Sequence, residues 1–453
     1  MENYRPDTAI LELGPDFYDP VDAADFPETV LRYRDDRAAV SVGLESLSDA
    51  DWIAHFGRYE PLPGNIRKPL ALRYHGHQFQ HYNPDLGDGR GFLFAQTRDA
   101  RDRLMDLGTK GSGKTPYSRR GDGRLTLLGG VREILAARYL EHMGVNTSKA
   151  LSLIETGENL RRHDEPSPTR SSVLVRLSHS HIRFGTFQRL AFFEDKDNLE
   201  KLVDYCRSHF YPDAVSAVGL LRRVVRASAD TVAGWMAAGF VHGVMNTDNM
   251  NITGESFDYG PYRFLPTLQS GFTAAYFDHN GLYAFARQPE IMLWNLGQLA
   301  HCLAQIGDDK ALIAALNRFP DDYRKAFRDH VFRRLSLVPT VLGADMSFVR
   351  ATFKFLEESQ TPWPQFWHDW QGGVEQEQSA RSGPNRDHYC GDKFDDWFRL
   401  LKEYEGLETV EKPDTSVSLL YDEIGELWAP VADNDDWSAF HAKLETFARP
   451  AGD

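Results

Sequence analysis

Hydrophobic positions change their period along the chain. Val131, Ile134, Leu135, Tyr139, Leu140 and Met143 recur at three- and four-residue steps, which places them on one helix face, and Gly144 supplies a stop. Leu221, Val224, Val225, Val232, Trp235 and Met236 predict a second helix that runs into GFVHGVMNTDNMNI. A third starts near Pro289, with Leu293, Leu296, Leu299, Ala300 and Leu303 on one side. Val173–Leu177 (VLVRL) predicts a strand. From Ala71 to Arg124, short apolar stretches such as Gly91–Gln96 alternate with Gly, Arg and His, the pattern of a sheet with functional loops. Residues 1–70 read as a mixed, loop-rich opening segment. Beyond about residue 308 the chain turns helical and charged, and the aromatic patch TPWPQFWHDW is expected to pack in a core. A strand-rich half followed by a helix-rich half predicts an α+β fold with a cleft between two lobes.

The length of 453 residues exceeds one ordinary core and agrees with two lobes plus an appended segment. The charged fraction of 26% and the apolar fraction of 42% exclude a disordered chain or a fibre. With 51 Lys and Arg against 66 Asp and Glu, the formal charge is −15, which argues against a nucleic-acid partner. An anionic ligand would need a local basic pocket. Cys206, Cys302 and Cys390 lie far apart and are expected to be buried free thiols in a reducing compartment. MENYRPDTAILELG shows no basic stretch followed by an apolar run, and the longest uncharged stretches, Thr231–Thr247 and Ile291–Gly307, fall short of a bilayer span. The expectation is a cytoplasmic protein without a membrane partner.

Gly108–Thr115 (GTKGSGKT) fits G-x-x-x-x-G-K-[ST], a loop that cradles phosphate only between a strand and a helix. Gly121-Asp122-Gly123 would break such a helix, and RDRLMDLG reads as a poor buried parallel strand. The match is therefore read as fortuitous. His75, His77 and His81 lack a Cys or carboxylate at ligand spacing and are read as positioning a loop rather than binding zinc.

Another constellation is more informative. It runs from the glycine loop LGDGRG (Leu86–Gly91, with Arg90 inside) to Lys110, then to Glu133 on the first helix, HGVMNTDN (His242–Asn249) and DYG (Asp258–Gly260). This is the order of protein-kinase parts: glycine loop, strand lysine, helix glutamate, catalytic loop and metal-binding aspartate. Val244 stands where the kinase base should be, and the nearby carboxylate is Asp248, directly before Asn249. Asp248, Asn249 and Asp258 supply oxygen ligands suited to a hard divalent cation.

The strings GHQFQHYNPDLGDGRG, KGSGKTPYSRRGDGRLTLLGGVREIL, VLVRLSHSHIRFGTFQ and GFVHGVMNTDNMNITGESFDYGPYRFL closely resemble the selenoprotein O family, protein adenylyltransferases with a pseudokinase fold. FDHNGLYAFARQPEIMLWNLGQLA continues the match, which covers roughly residues 70–300. The resemblance implies a two-lobed protein-kinase-like fold, with 1–70 as an N-terminal extension, 71–190 as the N-lobe, 191–310 as the C-lobe and 311–453 as a helical C-terminal extension. It implies ATP bound inverted relative to kinases, with AMP passing to Ser, Thr or Tyr of a protein and pyrophosphate leaving. Gly87, Gly89, Arg90, Lys110, Asp122, Gly123, Arg176, Arg183 and Asp258 would contact ATP. Lys110 would pair with Glu133, Asn249 and Asp258 would hold Mg²⁺ or Mn²⁺, and Asp248 would be the catalytic base. The sequence departs from the family at Lys114, at Gly129-Gly130 in place of Ser-Ser, and at FARPAGD, which lacks the terminal selenocysteine or cysteine motif of many members. The competing readings are a phosphotransferase or P-loop NTPase, and a nucleotide-binding pseudokinase scaffold without catalysis.

Overall fold

The computed structural model describes residues 1, 3–163, 165–407 and 412–448. Residues 449–453, at the end of FARPAGD, lie outside them. Among the described residues, nine strands form one antiparallel sheet. The order across it is Tyr18–Pro20, Leu70–Leu72, Leu93–Arg98, Leu104–Lys110, Thr169–Ser178, Lys149–Leu160 and Val30–Arg34. Pro6–Asp7 flanks Leu93–Arg98, and Leu125–Thr126 flanks Thr169–Ser178. The opening seventy residues are thus woven into the sheet: they supply both of its outer edges.

RDRLMDLG, read as a poor buried parallel strand, supplies instead an antiparallel one: Leu104–Lys110 is a central strand buried along its whole length. Continuous apolar runs characterise buried parallel strands, and in this antiparallel strand the polar groups have partners. Asp106 accepts from Gln96 Nε2 at 2.7 Å and from the His181 amide at 2.8 Å. Thr109 Oγ1 lies 2.6 Å from Ser112 Oγ. A buried polar group so satisfied costs little. No helix follows the strand: residues 111–124 are loop, and the next helix, Leu127–His142, starts after Thr126. Gly108–Thr115 therefore lacks the architecture of a phosphate-binding P-loop.

Thr126 caps that helix by accepting from the Gly129 amide at 3.0 Å. Gly130 lets the helix lie close on the sheet, since a Cβ there would come 2.3 Å from Leu153 Cδ1. The predicted helices appear as Leu127–His142, Ala217–Ala238 and Gln288–Leu303, and VLVRL lies within Thr169–Ser178. Ala217–Ala238 packs on Gln288–Leu303 and on Phe319–Leu335, forming the helical half. Among the described residues, no helix is long and apolar enough to cross a membrane.

Trp363, Trp367 and Trp370 are buried with Phe394 and Trp397 in a core shared by the C-terminal helices and the end of Ala217–Ala238. The last helices, Tyr421–Asn434 and Ser438–Thr446, return to the sheet half. There Arg170 donates to the Val431 carbonyl at 2.9 Å and pairs with Asp435 at 2.7 Å, while Tyr139 packs on Phe447. All three cysteines are free; Cys206 and Cys302 are buried, whereas Cys390 is exposed at a loop, contrary to expectation.

Trp370 has no exposed surface and contacts Tyr389, Phe394, Trp397 and Phe398. Trp370→Ala is expected to cost about 3–5 kcal/mol, the usual loss on emptying a buried aromatic site. Urea denaturation followed by circular dichroism will check it, and a loss below about 1 kcal/mol would show that this core is not rigidly packed.

Candidate active site

The site is a cleft of about 840 Å³, walled by Gly87, Arg90, Lys110, Arg176, Arg183, Asp248 and Asp258 among others. Sheet register explains how distant residues meet there. Lys110 lies opposite Leu174 in the antiparallel ladder, so Arg176, two residues on, projects from the same face. Lys110 is 4% exposed and Glu133, on helix Leu127–His142, is 3% exposed. The Lys110 ammonium bonds Glu133 Oε1 and reaches Asp258 Oδ1 at 2.5 Å. The other Glu133 oxygen accepts from the Tyr259 amide at 3.3 Å. Residue 258 adopts a left-handed backbone with φ of 60°, uncommon outside Gly and Asn, and this aims its carboxylate at the cluster.

Arg183 precedes helix Phe184–Phe192 and joins three segments. It donates to the Asp248 carbonyl at 2.8 Å, and pairs with Asp88 at 3.3 Å and with Asp258 at 3.4 Å. Its guanidinium stacks over Tyr74 and Phe257, and that of Arg176 also lies over Phe257. Arg176 Nε and Nη1 are buried without a hydrogen-bond partner among the described residues, although Nη1 lies 3.7 Å from Asp258 Oδ1. Burial alone would raise the Asp258 carboxyl. Lys110, Arg176, Arg183 and Arg90 outweigh it and hold that group well below the usual carboxylate range.

Asp248 lies in the turn Thr247–Asn249. Burial, opposed mainly by Arg183, lifts its carboxyl to about 6, and its Oδ1 is buried without a partner. Val244, where a kinase base would stand, offers no such group. Asn249 is half-buried, its amide donates to the Val244 carbonyl at 2.9 Å, and it borders a small cavity behind the turn rather than the cleft wall.

The turn is held from the sheet half by the hairpin Gly76–Gln78 and His81–Asn83. The His77 amide donates to Thr247 Oγ1 at 2.7 Å, and Thr247 Oγ1 donates to Gln188 Oε1 at 2.5 Å. Gln188 Nε2 in turn meets His77 Nδ1 at 2.7 Å. Burial lowers the His77 pKa, so the neutral ring accepts that bond. His75 bonds Tyr82 and His81 is exposed, so the histidines do not converge. Among the described residues, no group of three or more His, Cys, Asp or Glu could hold a metal ion.

The glycine loop is fastened to the segment that follows Lys114. A Cβ at Gly87 would lie 2.3 Å from the Tyr117 ring, and Ser118 donates to the Gly89 carbonyl at 2.5 Å. The close approach required at Gly87 is therefore to Tyr117. Asp122 and Gly123 line the same cleft, with Asp122 paired to Arg162 at 2.7 Å. Lys114 is exposed and outside the lining.

The structure thus brings Gly87, Gly89, Arg90, Lys110, Asp122, Gly123, Arg176, Arg183, Asp248 and Asp258 to one cleft, with Glu133 behind Lys110 and Asn249 at its back. Sequence reasoning missed Asp88, Tyr74, Phe257, Gly76 and Gln188. Asp88 carried a signal, a carboxylate inside a glycine loop; the partners of Gln188 are set only by tertiary contact.

The family model described as protein adenylyltransferase SelO matches residues 2–448. The protein nucleotidyltransferase YdiU of Trichodesmium erythraeum is 43% identical, covering 98% of this chain and 98% of the relative. The proteins of the same name from Trichormus variabilis and Synechocystis sp. are 43% and 42% identical. They cover 97% of this chain, and 94% and 96% of their own lengths. A match of this extent takes in every residue of the cleft, and the chain belongs to the SelO family of protein adenylyltransferases.

Proposed function

We propose that this enzyme uses a kinase-like cleft with ATP bound in the inverted sense and transfers AMP to Ser, Thr or Tyr hydroxyls of proteins. The observation that carries the reading is Asp248. It is a buried carboxylate with a free oxygen, lining the same cleft as Lys110 and Asp258, on a chain with no carboxylate at Val244. In this reading Arg90, Lys110, Arg176 and Arg183 receive the phosphates, and Gly87, Gly89, Asp122 and Gly123 border the nucleotide. The unpartnered Arg176 nitrogens are suited to phosphate oxygens, which guanidinium binds through paired N–H groups.

A divalent cation fits this donor set as a nucleotide-borne ion. Asp258 offers hard oxygen atoms on the cleft wall and Asn249 one from behind the turn, and among the described residues no group of three or more His, Cys, Asp or Glu makes a cage. Mg²⁺ or Mn²⁺ held by Asn249, Asp258 and the phosphates would neutralise charge on the leaving group. Asp248 accepts the proton of the acceptor hydroxyl as its oxygen bonds the α-phosphorus. The bond from that phosphorus to the bridging oxygen breaks, and pyrophosphate leaves with the electron pair. Lys110, Arg176 and Arg183 stabilise the charge that builds on it, while Glu133 keeps the Lys110 ammonium in place. The same cations would serve UTP. A scaffold without catalysis would have no use for a buried, unpaired carboxylate beside this cluster, and a P-loop NTPase would need the missing helix.

With α-labelled ATP and a protein acceptor, label is expected to become protein-bound, and with γ-labelled ATP it is expected to leave as pyrophosphate. An analogue blocked between the α- and β-phosphates should stop the reaction, and one blocked between β and γ should support it. Retention of γ-label on protein would return the cleft to ordinary kinase chemistry.

Lys110→Ala should lower transfer by about a hundredfold or more, while Lys114→Ala stays within about twofold, because only Lys110 faces the phosphates. Initial rates in the two variants decide it; the reverse ranking would revive the P-loop frame.

A methyl at residue 76 would lie 2.9 Å from Asp248 Oδ1 and 3.1 Å from Asp248 Cβ, so Gly76→Ala should displace the carboxylate. Expected is a fall in kcat of about tenfold or more, with ATP affinity by calorimetry within about threefold. Unchanged kcat would remove Asp248 from the proton-transfer step.

A further inference from the structure

The cleft has more cations than a nucleotide needs. Arg90, Lys110, Arg176 and Arg183 line its inner part, but its mouth also carries Arg119 and Arg120, on the loop after Lys110, and Arg161, on the turn between Lys149–Leu160 and Thr169–Ser178. All three are exposed, and none makes an ion pair or side-chain hydrogen bond with any described residue. Their neighbours on the same two loops behave differently: Arg124 pairs with Glu158 at 2.7 Å, and Arg162 with Asp122 at 2.7 Å. On a chain of net charge −15, carboxylates to neutralise a surface arginine are plentiful. Like charges gathered at one rim repel each other unless an anion joins them.

The placement of Arg119 narrows what that anion is. Its backbone is left-handed, with φ of 50°, and Gly121 follows two residues later. A residue with a side chain is uncommon in that region and often marks a functional site. Arg119 lines the same cleft as Asp248. Tyr276, from the helical half, borders the same mouth and is 81% exposed. A chain crossing the mouth to offer a hydroxyl to Asp248 would meet an aromatic side chain from the helical half and unpaired guanidinium groups from the sheet half.

We propose that Arg119, Arg120 and Arg161 form a docking rim for an acidic segment of the protein substrate, so that this enzyme selects hydroxyls flanked by Asp or Glu. The inference rests on the reading above that the acceptor hydroxyl faces Asp248. It adds the chemical class of the acceptor segment. Carboxylates of the substrate take the places left open at the three guanidinium groups, giving register and a faster, salt-sensitive encounter.

The test uses the full chain and three fluorescent peptides with one central hydroxyl, identical except that the flanking positions are Glu, Gln or Lys. Binding is read by anisotropy in the presence of Mg²⁺ and an ATP analogue blocked between the α- and β-phosphates. Transfer is read with α-labelled ATP. The wild type should bind the Glu peptide about tenfold or more tightly than the Gln peptide, and the gap should shrink between about 50 and about 300 mM salt. Arg119→Glu with Arg120→Glu should reverse the order in favour of the Lys peptide. Arg161→Glu alone should narrow it, and the affinity of each variant for ATP should stay within about threefold of wild type. Equal binding of the Glu and Gln peptides by the wild type, or no binding of either, would overturn the proposal. So would a loss of ATP affinity that matches the loss of peptide affinity, since the rim would then belong to the nucleotide. Preferential binding of the Glu peptide without transfer of α-label leaves the rim standing and sinks instead the adenylyl-transfer reading of the cleft.

Discussion

The buried ammonium of Lys110 fixes the geometry on which the cleft depends. A charge so far from water is tolerated only where opposite charges and hydrogen bonds surround it, and here they come from chain segments far apart in sequence. Glu133 binds it from the helix and Asp258 from the segment after the turn Thr247–Asn249. Each partner is then anchored elsewhere: Glu133 by the Tyr259 amide, Asp258 by Arg183. The end of the central strand, the helix on its face and the Asp-Tyr-Gly segment are thereby held in one relation. A shift of any of them would leave a buried charge uncompensated, which costs more than a mispacked methyl group.

Around that point two arginines are held in place in different ways. Arg183 is tied to Asp88, Asp258 and the Asp248 carbonyl, and it rests between the rings of Tyr74 and Phe257. Arg176 shares Phe257 but lacks the hydrogen bonds. Aromatic faces can hold a guanidinium through its plane and leave its N–H edge available, which a carboxylate partner would occupy. The distinction divides two kinds of arginine in the same cleft: Arg183 is hydrogen-bonded into the protein framework, and Arg176 keeps buried N–H groups without a partner among the described residues. Such fixed cations need little rearrangement when negative charge develops, which is the condition for strong electrostatic stabilisation.

How much of this could be read from the sequence depended on the range of the interaction. Helix Leu127–His142 was legible because its apolar positions repeat locally and Gly144 follows its end. The strand Leu104–Lys110 was not, because Asp106 looks wrong for a buried strand until Gln96 and the His181 amide are seen to satisfy it. Likewise, the strands of the opening segment are two to five residues long, too short for a periodic signal, and owe their form to the sheet they join. The charged site residues stood out since Lys110, Glu133 and Asp258 fall in an order with chemical meaning. Tyr74 and Phe257 did not, because an aromatic residue under a guanidinium reads in sequence like any core aromatic residue.

The glycines sharpen the same point. A glycine-rich loop beside a basic residue suggests backbone amides approaching an anion, yet at Gly87 the space is taken by Tyr117 and at Gly76 by Asp248. These positions serve the protein before any ligand arrives. Gly87 lets the loop lie on the segment that carries Arg119 and Arg120, and Gly76 lets the hairpin approach the turn Thr247–Asn249 closely enough for His77 and Thr247 to bond. A side chain at either place would separate the two walls of the cleft that those contacts join. The absence of a side chain is thus a constraint on distance: the sheet half can reach the turn bearing Asp248 only because residue 76 occupies so little space, and the position of that carboxylate follows from it.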